Sequence, residues 1–242
     1  NTTFHKIDAG GLPLQVETLL RTSYPLHPCS PYVACNPPNR MKTDVLSLHS
    51  TRSSWLDRLR AEDASMALQA AGITGFALLT AFAADANVRL YLWEVPITLQ
   101  TLMVYASGLF LGARNGMLAQ LLYVALGMFV PVYAGDGTGV AYLLGIASGG
   151  YILSYPVAAF VTGALTKRWN TLIGSTLSML VGAAIVFTAG VTWLHYVADH
   201  ATWMESIDKG FLRFLWIDLA KIGVLGVLFG GLRFATGSDT DA

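Results

Sequence analysis

From about residue 64 onward the chain alternates long apolar runs with short polar interruptions, a rhythm that residues 1–63 do not share. Six runs stand out, at 65–84, 97–111, 116–132, 149–165, 172–196 and 211–234. A helix that crosses a bilayer needs about 20 apolar residues at 1.5 Å each. The second and third runs fall short of that, so they must tilt, kink near Gly108, Gly127 or Pro131, or shelter among their neighbours. The pattern predicts an all-α integral membrane protein with six transmembrane helices in residues 64–236, and a short tail at 237–242. An even number of spans puts both termini on one side. Residues 1–63, rich in Pro, Ser, Thr, Asn and Arg, predict a largely disordered extension without a span or signal peptide. Within it, TRSSWLDRLRAED at 51–63 predicts a short amphipathic surface helix with Trp55, Leu56 and Leu59 on its apolar side.

Composition agrees with the pattern. The 242 residues are 54% hydrophobic and only 12% charged, against about 25% charged in a soluble domain. A soluble surface cannot be built from so few charges, so the apolar excess faces lipid. The formal net charge is zero, which gives no electrostatic footprint for nucleic acid. Cys29 and Cys35 both lie in the extension and are too few for a disulfide framework. The placement of charge sets the orientation. Lys6, Arg21, Arg40, Lys42, Arg52, Arg58 and Arg60 precede the first span; Arg114, Lys167, Arg168 and Arg233 close spans two, four and six. The other loops carry Asp85, Arg89, Glu94, Asp136, Asp199, Glu205, Asp208 and Lys209. Basic loops stay inside, so both termini are expected in the cytoplasm of a cell whose plasma membrane holds the protein.

Against this background two charges are out of place. Asp218 and Lys221 lie inside the last span, where each costs about 2.5–3.5 kcal/mol on insertion scales. Three residues apart, they share one helix face, at depths of about 10 and 15 Å from the outer start of the helix. Either they neutralise each other and fix packing, or they hold a polar ligand entering from the exterior half of the membrane. We favour ligand contact, which does not exclude the first role. Lys221 suits a carboxylate and Asp218 suits N–H donors.

Other polar features cluster near the spans. VPITLQTL at 95–102 opens the second span with Pro96 and places Thr98, Gln100 and Thr101 just inside the membrane, as caps or as ligand contacts. Residues 131–151, PVYAGDGTGVAYLLGIASGGY, hold six glycines and one acid, which predicts a lid or re-entrant ligand loop in preference to a plain connector. Small residues four apart, Ala67 with Ala71 and Ala77 with Ala81, let another helix approach, in the chain or in a partner. His195, Asp199 and His200 superficially suggest metal ligands, but they lie beside Trp193 and Tyr196 in the position of an interfacial belt, and no metal site is expected. No GxxxxGK[ST], HExxH or GxSxG pattern occurs, so neither ATP hydrolysis nor other catalysis is expected of this chain.

Taken in order, VPITLQTL (95–102), GLFLGARNG (108–116), YVALGMFVPVYAGDG (123–137), LLGIASGGY (143–151), Gly190-x-x-Trp193-Leu194 and Asp218-x-x-Lys221 resemble the BioY family, the biotin-binding S components of energy-coupling-factor transporters. The resemblance covers roughly three-quarters of the chain. It departs from the family at Gly145–Tyr151, where the usual proline and threonine are missing, and at Trp216-Ile217, which replaces a Pro-Gly pair. The extension at 1–63 is outside the family pattern.

The resemblance implies a six-helix S-component bundle in a bacterial cell membrane that binds biotin from outside and releases it inside, with no cofactor. A transmembrane coupling subunit and two ATPase subunits would be its partners, docking on the Ala67/Ala71 or Ala77/Ala81 row. The ligand set expected is Asp218, Lys221, Gln100, Thr98, Tyr151 and the loop Gly135, Asp136 and Gly137 on the polar ends of biotin, with Phe187 and Trp193 on its apolar body. An S component for another vitamin, or a solitary or proton-coupled carrier using Asp218, is the alternative.

Overall fold

The structure, a computed structural model, describes residues 60, 64–85, 95–135, 137–169 and 171–236. The extension and its amphipathic helix, apart from Arg60, lie outside the described residues, as do Asp136 and the tail beyond 236. Those described form helices, with no strand among them: α1 Met66–Asp85, α2 Gln100–Leu126, α3 Gly139–Gly145, α4 Gly149–Arg168, α5 Leu172–Val197, α6 Trp203–Ile207 and α7 Arg213–Thr236. A five-residue π-helical turn, Asp208–Leu212, joins α6 to α7. Four helices are long and apolar enough to cross a membrane, or five when α3 and α4, bent by 100°, count as one broken span. Large apolar side chains cover the outside: Phe82, Ile173, Trp216 and Val227 are each more than 70% exposed, as lipid-facing residues are.

The two short runs prove to be the two limbs of α2. At Gly112 the backbone adopts φ 79°, ψ −178°, a region open essentially to glycine alone. There the chain reverses. The first limb then lies beside the second, because Gln100 Nε2 donates to Tyr123 Oη at 2.5 Å and Gln120 Nε2 to Ser107 Oγ at 3.0 Å. Each limb is about 18 Å long at 1.5 Å per residue, too short to hide its own polar ends from lipid, so both are buried among neighbours. The glycines of GLFLGARNG permit this. A side chain on Gly108 would stand 2.4 Å from the Ala159 carbonyl oxygen of α4, and one on Gly116 would meet the backbone of Gly108. α2 packs most extensively on α4, α4 on α5, and α1 on α2.

Two ends of the bundle follow. Gly163 lies against Ala113 at the α2 reversal, and Gly230 lies against Leu172 at the start of α5. Arg114, Lys167, Arg168 and Arg233 therefore gather at one end. At the other, Arg213 pairs with Asp208 (2.6 Å) and Lys209 with Glu205 (2.9 Å). The small-residue rows of α1 separate: Ala77 is fully buried and Ala81 packs against the same core, whereas Ala67 and Ala71 face outward.

Gly112→Ala should destabilise the protein by about 1–3 kcal/mol, because the cost is backbone strain at an otherwise open position. Gly75→Ala, in mid-helix with open space around it, serves as the comparison and should stabilise by up to about 1 kcal/mol. Detergent unfolding of the two variants checks this, and equal stabilities would refute the reversal.

Candidate ligand-binding site

The unusual charges of α7 meet the start of α2. Asp218 is 3% exposed. Its Oδ1 accepts from Thr101 Oγ1 at 2.8 Å and its Oδ2 from Tyr105 Oη at 2.9 Å. Lys221 Nζ donates to the Thr98 carbonyl at 2.8 Å and to Thr101 Oγ1 at 3.0 Å, and lies 3.6 Å from Asp218 Oδ1. Thr101 Oγ1 thus accepts from the cation and donates to the anion, linking the two through one hydroxyl. Such exchange of water for protein donors is what keeps a charge tolerable at this depth.

The arrangement exists because Thr98 stands two residues ahead of α2, so its carbonyl lies outside the helical ladder and can accept from Lys221, while Thr101 presents its hydroxyl from the first turn. Thr98 Oγ1 donates to Gln100 Oε1 at 2.9 Å, and Tyr123 Oη, which takes the Gln100 amide hydrogen, passes on to the Val132 carbonyl at 3.2 Å. One chain of hydrogen bonds therefore runs from α7 through both limbs of α2 to the loop that follows.

Beside this network is a slot of ≈ 40 Å³. Among its walls are Thr98, Gln100, Tyr151, Phe187, Asp218 and Lys221, all anticipated from sequence, and Thr101, Tyr155 and Phe214. Tyr151 contributes its ring, since its hydroxyl is committed to the Gly210 carbonyl at 2.7 Å. That carbonyl belongs to the π-helical turn, where the normal i to i+4 ladder is displaced. Phe187 and Asp218 also wall a groove of ≈ 580 Å³ between α5 and α7, lined otherwise by apolar residues such as Leu180, Val191, Phe211 and Ile222.

Three expected contacts are placed differently. Gly135, at φ 128°, and Gly137 pack against the ring of Tyr142, where a Cβ on either would collide; the loop reaches the slot through Ala134, with Ser148 at the foot of α4. Trp193 faces the α3–α4 bend, where its indole N–H donates to the Ile146 carbonyl at 3.1 Å. That carbonyl also accepts from the Gly149 N–H at 3.0 Å, so the indole ties α5 to the bend through the carbonyl's second lone pair. Asp136 lies outside the described residues. His195 and His200 each approach Ser206 Oγ at 2.9 Å and form no metal cluster among the described residues. Tyr105 and Tyr155 escaped the sequence reading, although Thr101 and Tyr105, four residues apart, share one face of α2.

These features define the class of helical membrane proteins that keep a paired charge beside a polar slot inside the bundle. Comparison with known families narrows this: the BioY family model matches residues 54–237, and the chain belongs to the BioY family. It is 33% identical to the biotin transporter BioY of Thermotoga maritima over 142 residues, 58% of this chain and 82% of that one. It is 30% identical to the biotin transporter BioY2 of Lactococcus lactis over 168 residues, 69% and 87% of the two chains. Among solved structures it resembles the crystal structure of the S-component for biotin from an ECF-type ABC transporter, with a TM-score of 0.60 and 25% identity, covering 70% of this chain and 94% of that one. The kinship expected from the motifs is therefore established, and it makes the chain a transport protein rather than an enzyme.

Lys221→Met leaves the Asp218 carboxylate buried without its cation and should cost about 3–5 kcal/mol of stability. Adding Asp218→Asn should recover part of that loss. SDS unfolding titrations in mixed micelles check the sign of the coupling, and strictly additive costs would show that the two charges do not act as a pair.

Proposed function

We propose that the protein is the biotin-binding S component of an ECF-type importer in a bacterial plasma membrane, taking biotin from the exterior and releasing it to the cytoplasm. The observation that carries this reading is the Asp218–Thr101–Lys221 network beside a slot inside the bundle, in a chain whose relatives are named biotin transporters. Biotin offers a ureido group with two N–H donors, an apolar bicycle and a carboxylate. A carboxylate acceptor and an ammonium donor in one slot match its polar groups, and Phe187 matches its apolar body.

Six segments cross the bilayer in this reading: α1, the two limbs of α2, α4, α5 and α7. Arg114, Lys167, Arg168 and Arg233 mark the cytoplasmic end, so both termini lie there. Arg233 is 15 residues beyond Asp218, about 22 Å of helix, which sets the slot toward the exterior. Gly135 and Gly137, with Trp193, border the mouth of the site without lining the slot. Energy for release comes from two ATPase subunits through a transmembrane coupling subunit, and the outward-facing Ala67/Ala71 row supplies a smooth surface for that subunit.

Titration calorimetry of the detergent-purified full chain with biotin, desthiobiotin, thiamine and riboflavin tests the reading. Biotin should bind and the other two vitamins should not, and Asp218→Asn and Lys221→Ala should each weaken binding roughly tenfold or more. A preference for thiamine or riboflavin would overturn the substrate. Unchanged affinity in both folded variants would remove the slot from the mechanism. Uptake by the chain alone that follows the proton gradient would replace the ATP-driven assembly with a carrier.

A further inference from the structure

At the basic end of the bundle, with no wall residue in common with the slot, a second cavity of ≈ 420 Å³ opens between the start of α5 and the end of α7. Leu172, Phe229, Gly230 and Gly231 give it apolar walls, and Ser175 and Arg233 give it polar ones. Arg233 is 8% exposed, and its guanidinium carbon lies 5.9 Å from the centroid of the Phe229 ring. The guanidinium carbon of Arg60 lies 5.6 Å from the same centroid. Two cations thus converge on one aromatic ring that is itself 1% exposed.

Ser175 adds an independent sign. It is fully buried, and its hydroxyl has no hydrogen-bond partner. Its neighbours on the same helix do not behave this way: Thr176 Oγ1 donates to the Leu172 carbonyl at 3.0 Å and Ser178 Oγ to the Gly174 carbonyl at 2.7 Å. The usual retreat of a membrane hydroxyl onto the preceding turn is therefore available here, and Ser175 does not take it. A buried donor left without an acceptor is unfavourable, and an acceptor in the cavity removes that cost.

We infer that this cavity is a binding site for an anionic phospholipid, whose phosphodiester meets Arg233, Arg60 and the Ser175 hydroxyl while an acyl chain follows the Leu172–Gly231 wall toward lipid. Charge complementarity names the headgroup, since guanidinium pairs and hydroxyls suit phosphate oxygens. The apolar walls and the position at the basic end of a membrane bundle name a lipid over a soluble phosphate. Occupancy would tie the ends of α5 and α7 together.

The test uses the full chain purified in mild detergent, with native mass spectrometry of the lipid retained from equimolar phosphatidylglycerol and phosphatidylcholine. The wild-type protein should retain one phosphatidylglycerol in preference to phosphatidylcholine, and Arg233→Gln should lower that preference about fivefold. Gly231→Leu fills the groove where a side chain meets open space and should release the lipid while leaving biotin binding unchanged. Equal retention of the two lipids by wild type, or unaltered preference in both variants, overturns the site. Displacement of the lipid by millimolar glycerol phosphate would also overturn it, because it would make the ligand a soluble phosphate.

Discussion

The structure depends on keeping two opposite charges at bilayer depth without water. An isolated carboxylate or ammonium inside a membrane demands a partner, and Asp218 and Lys221 are only 3.6 Å apart. Proximity alone is insufficient, because each ion keeps further hydrogen-bonding capacity that lipid cannot satisfy. Thr101, Tyr105 and the Thr98 carbonyl take it up. All three stand at the start of α2, so α2 must run directly against α7 at that level. The short limbs of α2 and their burial follow from that requirement.

The glycines of the α2 reversal serve the same end. Gly112 turns the chain where no side chain could, and Gly108 and Gly116 let the two limbs and α4 approach to backbone contact. That closeness brings Tyr123 of the second limb to Gln100 of the first, and carries the network on to Val132. A wider packing would leave Gln100, fully inside the bundle, without its partner. Small residues in one motif and hydroxyls in another are therefore two halves of one solution to burying polar groups in lipid.

Much of this was legible in the sequence. Charges inside an apolar run announce themselves by their cost, so Asp218 and Lys221 could be found from composition and depth alone. Thr98, Gln100, Tyr151 and Phe187 were also legible, and all wall the slot. Less visible were residues whose role depends on tertiary partners. Tyr105 reads as an ordinary aromatic in a span until α7 is beside it. The glycine-rich loop was read as a ligand cradle because glycine permits close approach, but the object approached is the Tyr142 ring. Trp193 was similarly placed on the ligand, whereas its N–H is given to the carbonyl of Ile146 at the α3–α4 bend. In both cases the residue does make a close contact, and glycine density or a motif could not say with what. The short α6 and its π-helical turn lack a periodic signal because each is only five residues long.

The size of the slot constrains how such a site can work. Ligand pockets usually occupy about 300–1,000 Å³, and the slot offers ≈ 40 Å³. A solute therefore enters only if the walls move, and the walls are not equally free to do so. The α2 side is fastened by the charge network and by backbone contact with α4. The α5 side is bordered by the ≈ 580 Å³ groove, which shares Phe187 and Asp218 with the slot, and α5 touches α7 far less than it touches α4. Phe187, whose ring makes no hydrogen bond, stands between the two spaces, whereas parting α2 from α7 would first expose the ion pair. The fixed half of the site thus presents charge, and the yielding half presents apolar surface, which suits a ligand with polar ends and an apolar body.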